Sequence, residues 1–162
     1  GSGATDTAWM QFNCCSGGST STPASSSSAA SSIAPAFTQL VQAEAFTAMN
    51  GVQTEATSDT GGGQNVSYID AGDWMAYANI TIPTTGSYRI DYRVASPSGA
   101  TFSSDLNAGA TQLGSVTIGA TGGWQNWQTV SHTVNLSAGS LPLGIKVTSG
   151  GWNINWFRIT KL

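Results

Sequence analysis

The heptapeptide Tyr88-Arg-Ile-Asp-Tyr-Arg-Val94 alternates strictly between apolar and charged residues. In an extended chain successive side chains point to opposite faces, so Tyr88, Ile90, Tyr92 and Val94 share one face and Arg89, Asp91 and Arg93 the other. Such a strand buries its apolar face against a second layer and leaves its polar face in water. Leu141, Leu143, Ile145 and Val147 repeat the alternation, and Pro142 suggests a strand start or an edge because proline cannot donate to a ladder. Val116–Ile118, Trp127–Val130 and His132–Leu136 are further short runs separated by Gly- and Ser-containing turns. The opening run Gln39–Phe46 has no clear register. No window carries a helical period. Seven or more short strands at this spacing imply an all-β sandwich or barrel, and about 125 residues from Phe37 onward suffice for its core.

Charge narrows the partners. Only 8% of the 162 residues are charged, the net charge is −3, and no basic patch occurs. Nucleic acid is excluded as a partner, because phosphate neutralisation needs clustered Lys and Arg. No apolar run reaches the roughly 18 residues of a membrane-spanning helix. A surface made of hydroxyls, amides and glycine is instead typical of secreted β proteins. The first residues, Gly-Ser-Gly-Ala-Thr-Asp, have neither a basic nor an apolar region of a leader, so an excised piece of a longer secreted protein is expected.

Three regions are expected. Residues 1–15 carry Trp9, Met10 and Phe12 without periodicity and read as the remnant of a preceding region or as added sequence. Their adjacent Cys14 and Cys15 lack a neighbouring base or metal-ligand spacing and lie outside the main domain. Residues 16–36 hold 9 Ser, 2 Thr and 5 Ala, the composition of a flexible linker. Residues 37–162 form the β domain. Ser-rich linkers of this kind commonly join modules of extracellular polysaccharide-degrading enzymes.

The stretch Glu55–Tyr77 has the most distinctive text. Gly61, Gly62 and Gly63 permit turns that residues with a Cβ resist, and a loop carrying Glu55 and Asp59 is expected to feed a strand bearing Tyr68 near its start. Taken with Gln42-Ala-Glu44, Gly122-Gly-Trp-Gln-Asn-Trp127 and Gly150-Gly-Trp-Asn-Ile-Asn-Trp-Phe157, this stretch resembles family 6 carbohydrate-binding modules. The resemblance covers essentially all of 38–162, with four motifs in order. It implies a jelly-roll β-sandwich of two antiparallel sheets, sugar recognition among the loops at one end, and a structural calcium ion.

Position by position, Tyr68 resembles the family's tyrosine platform and Trp124 its facing tryptophan, which together would sandwich one pyranose. The apolar C–H face of a sugar suits a flat aromatic ring. Asn153 matches an asparagine at the cleft base, whose amide can both donate and accept. Glu55 matches a carboxylate lining the cleft in some members. Trp152 joins them as a carbohydrate-binding candidate, and Gln125 and Asn126 as secondary contacts. Trp74, Trp127 and Trp156 read as core. Gln42 and Glu44, two apart, would share a strand face and offer oxygens to calcium. Asp59 and Asn155 complete the candidate ligand set, Asn155 standing where many relatives carry Asp.

Catalysis has little support. A glycosidase needs two carboxylates flanking the scissile bond, yet Glu44, Glu55, Asp59, Asp70 and Asp73 each have a metal, turn or cleft reading. Asp105 stands in a Ser-rich loop, and His132 is the single histidine, with no nucleophile motif around it. The expected function is that of a secreted, monomeric, non-catalytic module that targets an appended glycoside hydrolase to its polysaccharide. The text around Tyr68 and Trp124 is most similar to modules of marine bacterial agarases, which implies agarose or neoagaro-oligosaccharide chain ends. Xylan or β-glucan specificity is the alternative, and a protein-interaction β-sandwich with exposed tryptophans a more distant one.

Overall fold

The computed structural model describes residues 36–162; the readings for 1–35, including Cys14 and Cys15, lie outside it. The domain begins with β1 (Thr38–Gln42), a single 3-10 turn (Ala43–Ala45), β2 (Ala48–Asn50) and β3 (Gln53–Ala56). It continues through β4 (Gln64–Ile69), β5 (Trp74–Ile82), β6 (Gly86–Ala95) and β7 (Ala100–Leu106). The last strands are β8 (Thr111–Ile118), β9 (Gln128–Leu136), β10 (Gly139–Ser149) and β11 (Trp152–Lys161). One sheet runs β3-β4-β11-β6-β9, with β1 also paired to β11; the other runs β2-β5-β10-β7-β8. Every pairing is antiparallel. The fold is a β-sandwich, one of the two architectures that the alternation allows and the one that the resemblance implies.

The alternating faces meet between the sheets. Tyr88, Ile90, Tyr92 and Val94 on β6 are fully buried, as are Leu143 and Ile145 on β10. Aromatic rings stitch the layers in edge-on pairs, the geometry that ring quadrupoles favour: Tyr77 on Phe157 at 4.8 Å and Tyr92 on Phe102 at 4.9 Å. Burying such rings contributes about 2 kcal/mol or more each. The Tyr77 hydroxyl stays satisfied by donating to the Ala43 carbonyl at 2.7 Å, and burial pushes its pKa up.

Four local readings are corrected. Pro142 lies within β10, a central strand, at a register shift between Leu141 and Leu143 that absorbs the missing N–H. Glu44 sits in the 3-10 turn rather than in β1, so it does not alternate with Gln42. Asp91, expected on a wet face, is buried, held by Arg89 at 2.9 Å and by the Ser131 hydroxyl at 2.8 Å. Trp74 is exposed at the start of β5, while Trp127 and Trp156 are only half-buried.

The turn that joins β10 to β11 is pressed against the turn after β4. A Cβ on Gly150 would lie 2.5 Å from the Ile69 carbonyl oxygen and 2.7 Å from the Asp70 Cα. Both obstacles are backbone, which cannot swing aside. Gly150→Ala therefore costs about 1–3 kcal/mol, the range of overpacking, and lowers the melting temperature by several degrees in calorimetry. An unchanged transition would mean that the two turns are not in register.

Candidate functional site

The site is built where three strands of one sheet meet a loop arriving from the other. β3 and β4 form a hairpin whose residues 57–63 turn on Gly61, Gly62 and Gly63, all at positive φ (104°, 66° and 91°). Asp59 anchors that turn. Its carboxylate accepts from Arg93 on β6 at 2.9 and 2.8 Å and from the Asn155 amide at 2.8 Å. The Arg93 guanidinium holds the Asp59 carboxyl below its ordinary value, and Asp59 in turn raises Arg93.

Next to this hairpin the β4–β11 ladder slips. Ile69 pairs with Trp152 and Val66 with Ile154, so two residues of β4 oppose Asn153 alone. Tyr68, at the end of β4 rather than its start, takes up the slip with a φ of 56°, a left-handed conformation that residues with a Cβ seldom adopt. The bulge turns the Tyr68 ring out of the sheet, where it is 62% exposed. Bulges of this kind re-aim side chains.

Opposite, residues 119–127 cross from β8 to β9 and carry Trp124, 52% exposed. This crossing is pinned at its root: the Thr121 N–H donates to the Ser96 carbonyl at 2.7 Å, and the Ser96 hydroxyl donates to the Gly151 carbonyl at 2.7 Å. Beside the tryptophan, Gln125 bridges to the hairpin. Its oxygen accepts the Ser58 N–H at 2.8 Å, and its amide donates to Glu55 and Asn65, both at 3.1 Å.

One oxygen gathers the floor. Glu55, on β3 rather than in a loop, accepts through Oε1 from Asn153 at 3.0 Å, Gln125 at 3.1 Å and Asn65 at 3.3 Å. Asn153 also donates to the Trp124 carbonyl at 2.8 Å, which fixes the wall to the floor. Tyr68, Trp124, Glu55, Asn153, Ser67 and Gln125 thus line a single cleft of about 780 Å³.

Of the carbohydrate-binding candidates, Tyr68, Trp124, Asn153 and Glu55 converge here. Trp152 does not. It is fully buried and stacked on Phe102 at 4.8 Å and 15°, because the β11 residues on either side of Asn153 point into the core. Ser67, a buried residue on the cleft floor, escaped sequence reading; its alternation with Val66 was the available signal. Gln125, expected as a secondary contact, lines the cleft and also bridges the crossing to the hairpin.

Of the four candidate calcium ligands, Gln42 pairs with Trp156 beside Asn155 on β11, Glu44 lies in the 3-10 turn that packs on β11, and Asp59 accepts a hydrogen bond from Asn155. Gln42 is exposed at the end of β1, and Asp59 is committed to Arg93 and Asn155. Glu44 Oε2 and Asn155 Oδ1 are buried without a hydrogen-bond partner among the described residues, the condition a hard cation would relieve. The 3-10 turn bearing Glu44 packs on β11, which bears Asn155. Glu44 and Asn155 fit the metal; Asp59 does not.

His132 reaches Tyr92 Oη at 3.1 Å and Ser104 Oγ at 3.3 Å. Ser104 is fully buried, so this pair cannot present a nucleophile to a substrate. Burial lowers the His132 pKa and so disfavours its cationic form.

The family model "Carbohydrate binding module (family 6)" matches residues 42–161. The chain belongs to that family. The module is 54% identical to a family 6 module of Cellvibrio mixtus lichenase 5A solved with cellotriose, at a TM-score of 0.74, covering 76% of this chain and 97% of that one. It is also 54% identical to the C-terminal module of LamC, a laminarinase of Zobellia galactanivorans, at a TM-score of 0.74, over 77% and 100% of the two chains. Among curated proteins, the clotting factor G alpha subunit of Tachypleus tridentatus is 51% identical over 78% of this chain. The agarase resemblance is more distant: the β-agarase AgaA of Microbulbifer thermotolerans is 32% identical over 62% of this chain. The chain spans 19% of the clotting factor and 24% of the agarase. Like the isolated family 6 domains it matches, the module is a non-catalytic binding domain, of a kind appended to glycoside hydrolases.

Removing the Asp59 carboxylate tests the anchor of the hairpin. Asp59→Asn leaves Arg93 half-buried without its counter-charge and costs about 2 kcal/mol at pH 7, less than a fully buried pair because Arg93 keeps some solvent. Since the folded Asp59 pKa is depressed below 3.8, the wild type holds this advantage above that value. The difference shrinks as pH falls below 3.8 and is lost once pH has passed through the lower folded value. Urea denaturation of both proteins at pH 7 and pH 3 reads it.

Proposed function

We propose that the module captures chain ends of a β-linked glucan by clasping one terminal pyranose between Tyr68 and Trp124. The observation that carries this reading is two exposed aromatic side chains lining one cleft whose floor is made of amide and carboxylate groups. Flat aromatic walls match the C–H faces of a sugar, and the polar floor matches its hydroxyl rim. A ring gripped on both faces is best supplied by a chain terminus.

The glucan assignment rests on chemistry and on relatives. Every substituent of a β-glucopyranose is equatorial, so both of its faces are C–H faces. The galactose and anhydrogalactose units of agarose carry axial oxygens that would stand between the ring and one wall. The two solved relatives at 54% identity come from a lichenase, bound to cellotriose, and from a laminarinase. Agarose is the second reading, favoured by the motif resemblance around Tyr68 and Trp124 and by the agarase relative.

In this reading the module is secreted and tethered through the Ser-rich residues 16–36 to a glycoside hydrolase. It raises the enzyme's effective concentration at the polysaccharide. One clasped ring and a few hydroxyl contacts correspond to about 4–8 kcal/mol, hence roughly micromolar to millimolar dissociation constants. Calcium, held by Glu44 and Asn155 with backbone carbonyls, would stabilise the junction of the 3-10 turn and β11.

Calorimetric titration of the full chain with laminarihexaose, cellohexaose, neoagarohexaose and xylohexaose tests the sugar. The expected result is heat with the glucose oligomers, reduced at least thirtyfold in affinity in Trp124→Ala. Heat with neoagarohexaose alone would move the assignment to agarose, and silence with all four overturns the reading. For calcium, exhaustive chelation lowers the melting temperature by several degrees and added Ca2+ restores it. A chelation-insensitive transition removes the ion from the account.

A further inference from the structure

Two polar atoms on the cleft floor have no partner. Asn153 Oδ1 and Ser67 Oγ are each buried and accept or donate no hydrogen bond among the described residues. Both residues line the cleft between Tyr68 and Trp124. They stand on adjacent strands at the slip in the ladder, where Ile69 pairs with Trp152 and Val66 with Ile154. Asn65, of the same parity as Ser67 on β4, is fully satisfied by Glu55, Gln125 and the Val66 carbonyl. Around the cleft floor the protein pairs Asn65, Gln125 and Glu55 and leaves these two, the neighbouring unpaired Trp152 Nε1 lying on the core side.

An unpaired buried hydroxyl is a standing cost, typically one or more kcal/mol. At a packing position the same volume is filled as well by alanine. At a binding site the cost is recovered when a ligand supplies the missing partner, and the recovery discriminates strongly against ligands that lack it.

We propose that Ser67 is a specificity-determining residue of the sugar cleft: its hydroxyl, beside the Asn153 carbonyl, hydrogen-bonds one hydroxyl of the clasped ring. The proposal rests on the sugar-binding reading and deepens it. Asn153 Oδ1 can only accept, so it takes a ligand O–H. Ser67 Oγ can donate as well as accept, so the two atoms together can engage one sugar hydroxyl in both directions. Both residues line the cleft as it stands, so a ring seated between the walls lies over them. The walls then hold any pyranose, and this pair reads whether a hydroxyl stands at one particular ring position.

The test is calorimetric titration of the full chain and of Ser67→Ala with laminarihexaose and with monodeoxy glucosides altered in turn at each position of the terminal ring. Melting temperatures are measured alongside. In the wild type one deoxy sugar is expected to bind about fivefold or more weakly than its parent. Ser67→Ala is expected to bind the parent about fivefold more weakly, to bind that deoxy sugar no differently from the wild type, and to melt at the same temperature or higher. A purely structural serine would lower the melting temperature and weaken every sugar alike. Equal affinities of Ser67→Ala and wild type for the parent sugar overturn the proposal while leaving the cleft reading intact. Loss of binding in Trp124→Ala alone is the signature of that outcome. A wild type that binds no glycan overturns both.

Discussion

Glu55 Oε1 is the point on which the site depends. Three side-chain amides converge on this one oxygen, from β4, from the crossing at 119–127 and from β11. Without it, Asn65, Gln125 and Asn153 would each hold a donor with nowhere to go in a half-dry floor, and each lost hydrogen bond costs on the order of 1 kcal/mol or more. Hydrogen bonds to a charged acceptor are shorter and stronger than neutral ones, so a single carboxylate can organise a floor that is otherwise uncharged. The floor then carries this one negative charge, which its three amide partners solvate but do not neutralise. The low charge content of the chain and the chemistry of the site are one design.

The walls are held from behind by the same network. Trp124 presents its ring because its carbonyl is tied to Asn153 and its neighbour Gln125 is tied to the hairpin. Tyr68 presents its ring because the ladder slips at Asn153 and the backbone accepts a left-handed φ there. Strain of this kind costs about 1–3 kcal/mol and persists only where the surroundings over-determine it. Here Gly150 and Gly151 supply the constraint, packing the following turn against Ile69. A cleft held open in advance spends little of its modest binding energy on ordering loops.

Legibility from sequence followed the physics of each element. The β6 heptapeptide could be read because burial on one face imposes period two, and all four of its apolar residues are in the core. Trp152 and Trp124 could not be told apart by the same means, since both follow a Gly-Gly pair. The difference lies in whether the glycines open a strand or a loop, which is decided by pairing with distant residues. Glu44 was misplaced because a three-residue 3-10 turn leaves no periodic trace. Asp59 enters the candidate ligand set through the family resemblance, and its ion pair with Arg93, 34 positions away on another strand, leaves no local trace. Pro142 suggests a strand start or an edge because the bulge that accommodates it inside β10 is a property of the pair of strands, not of one. Local alternation is written in the chain; register across strands is not.

If Tyr68 and Trp124 clasp the sugar as proposed, walls and floor divide the work of recognition. Exposed aromatic rings gain from any flat apolar face, and that gain changes little from one pyranose to another. The floor is buried, and a buried polar atom either finds its complement or forfeits it in full. Similar aromatic walls can therefore serve modules that favour different polysaccharides, while a change of one floor atom shifts which is preferred. In this module the floor is a carboxylate with one oxygen saturated, an asparagine with a free carbonyl and a serine with a free hydroxyl. Affinity should follow the rings and selectivity the floor, and the two can be altered separately because the amide network joins them through the backbone of Trp124 and leaves its ring free.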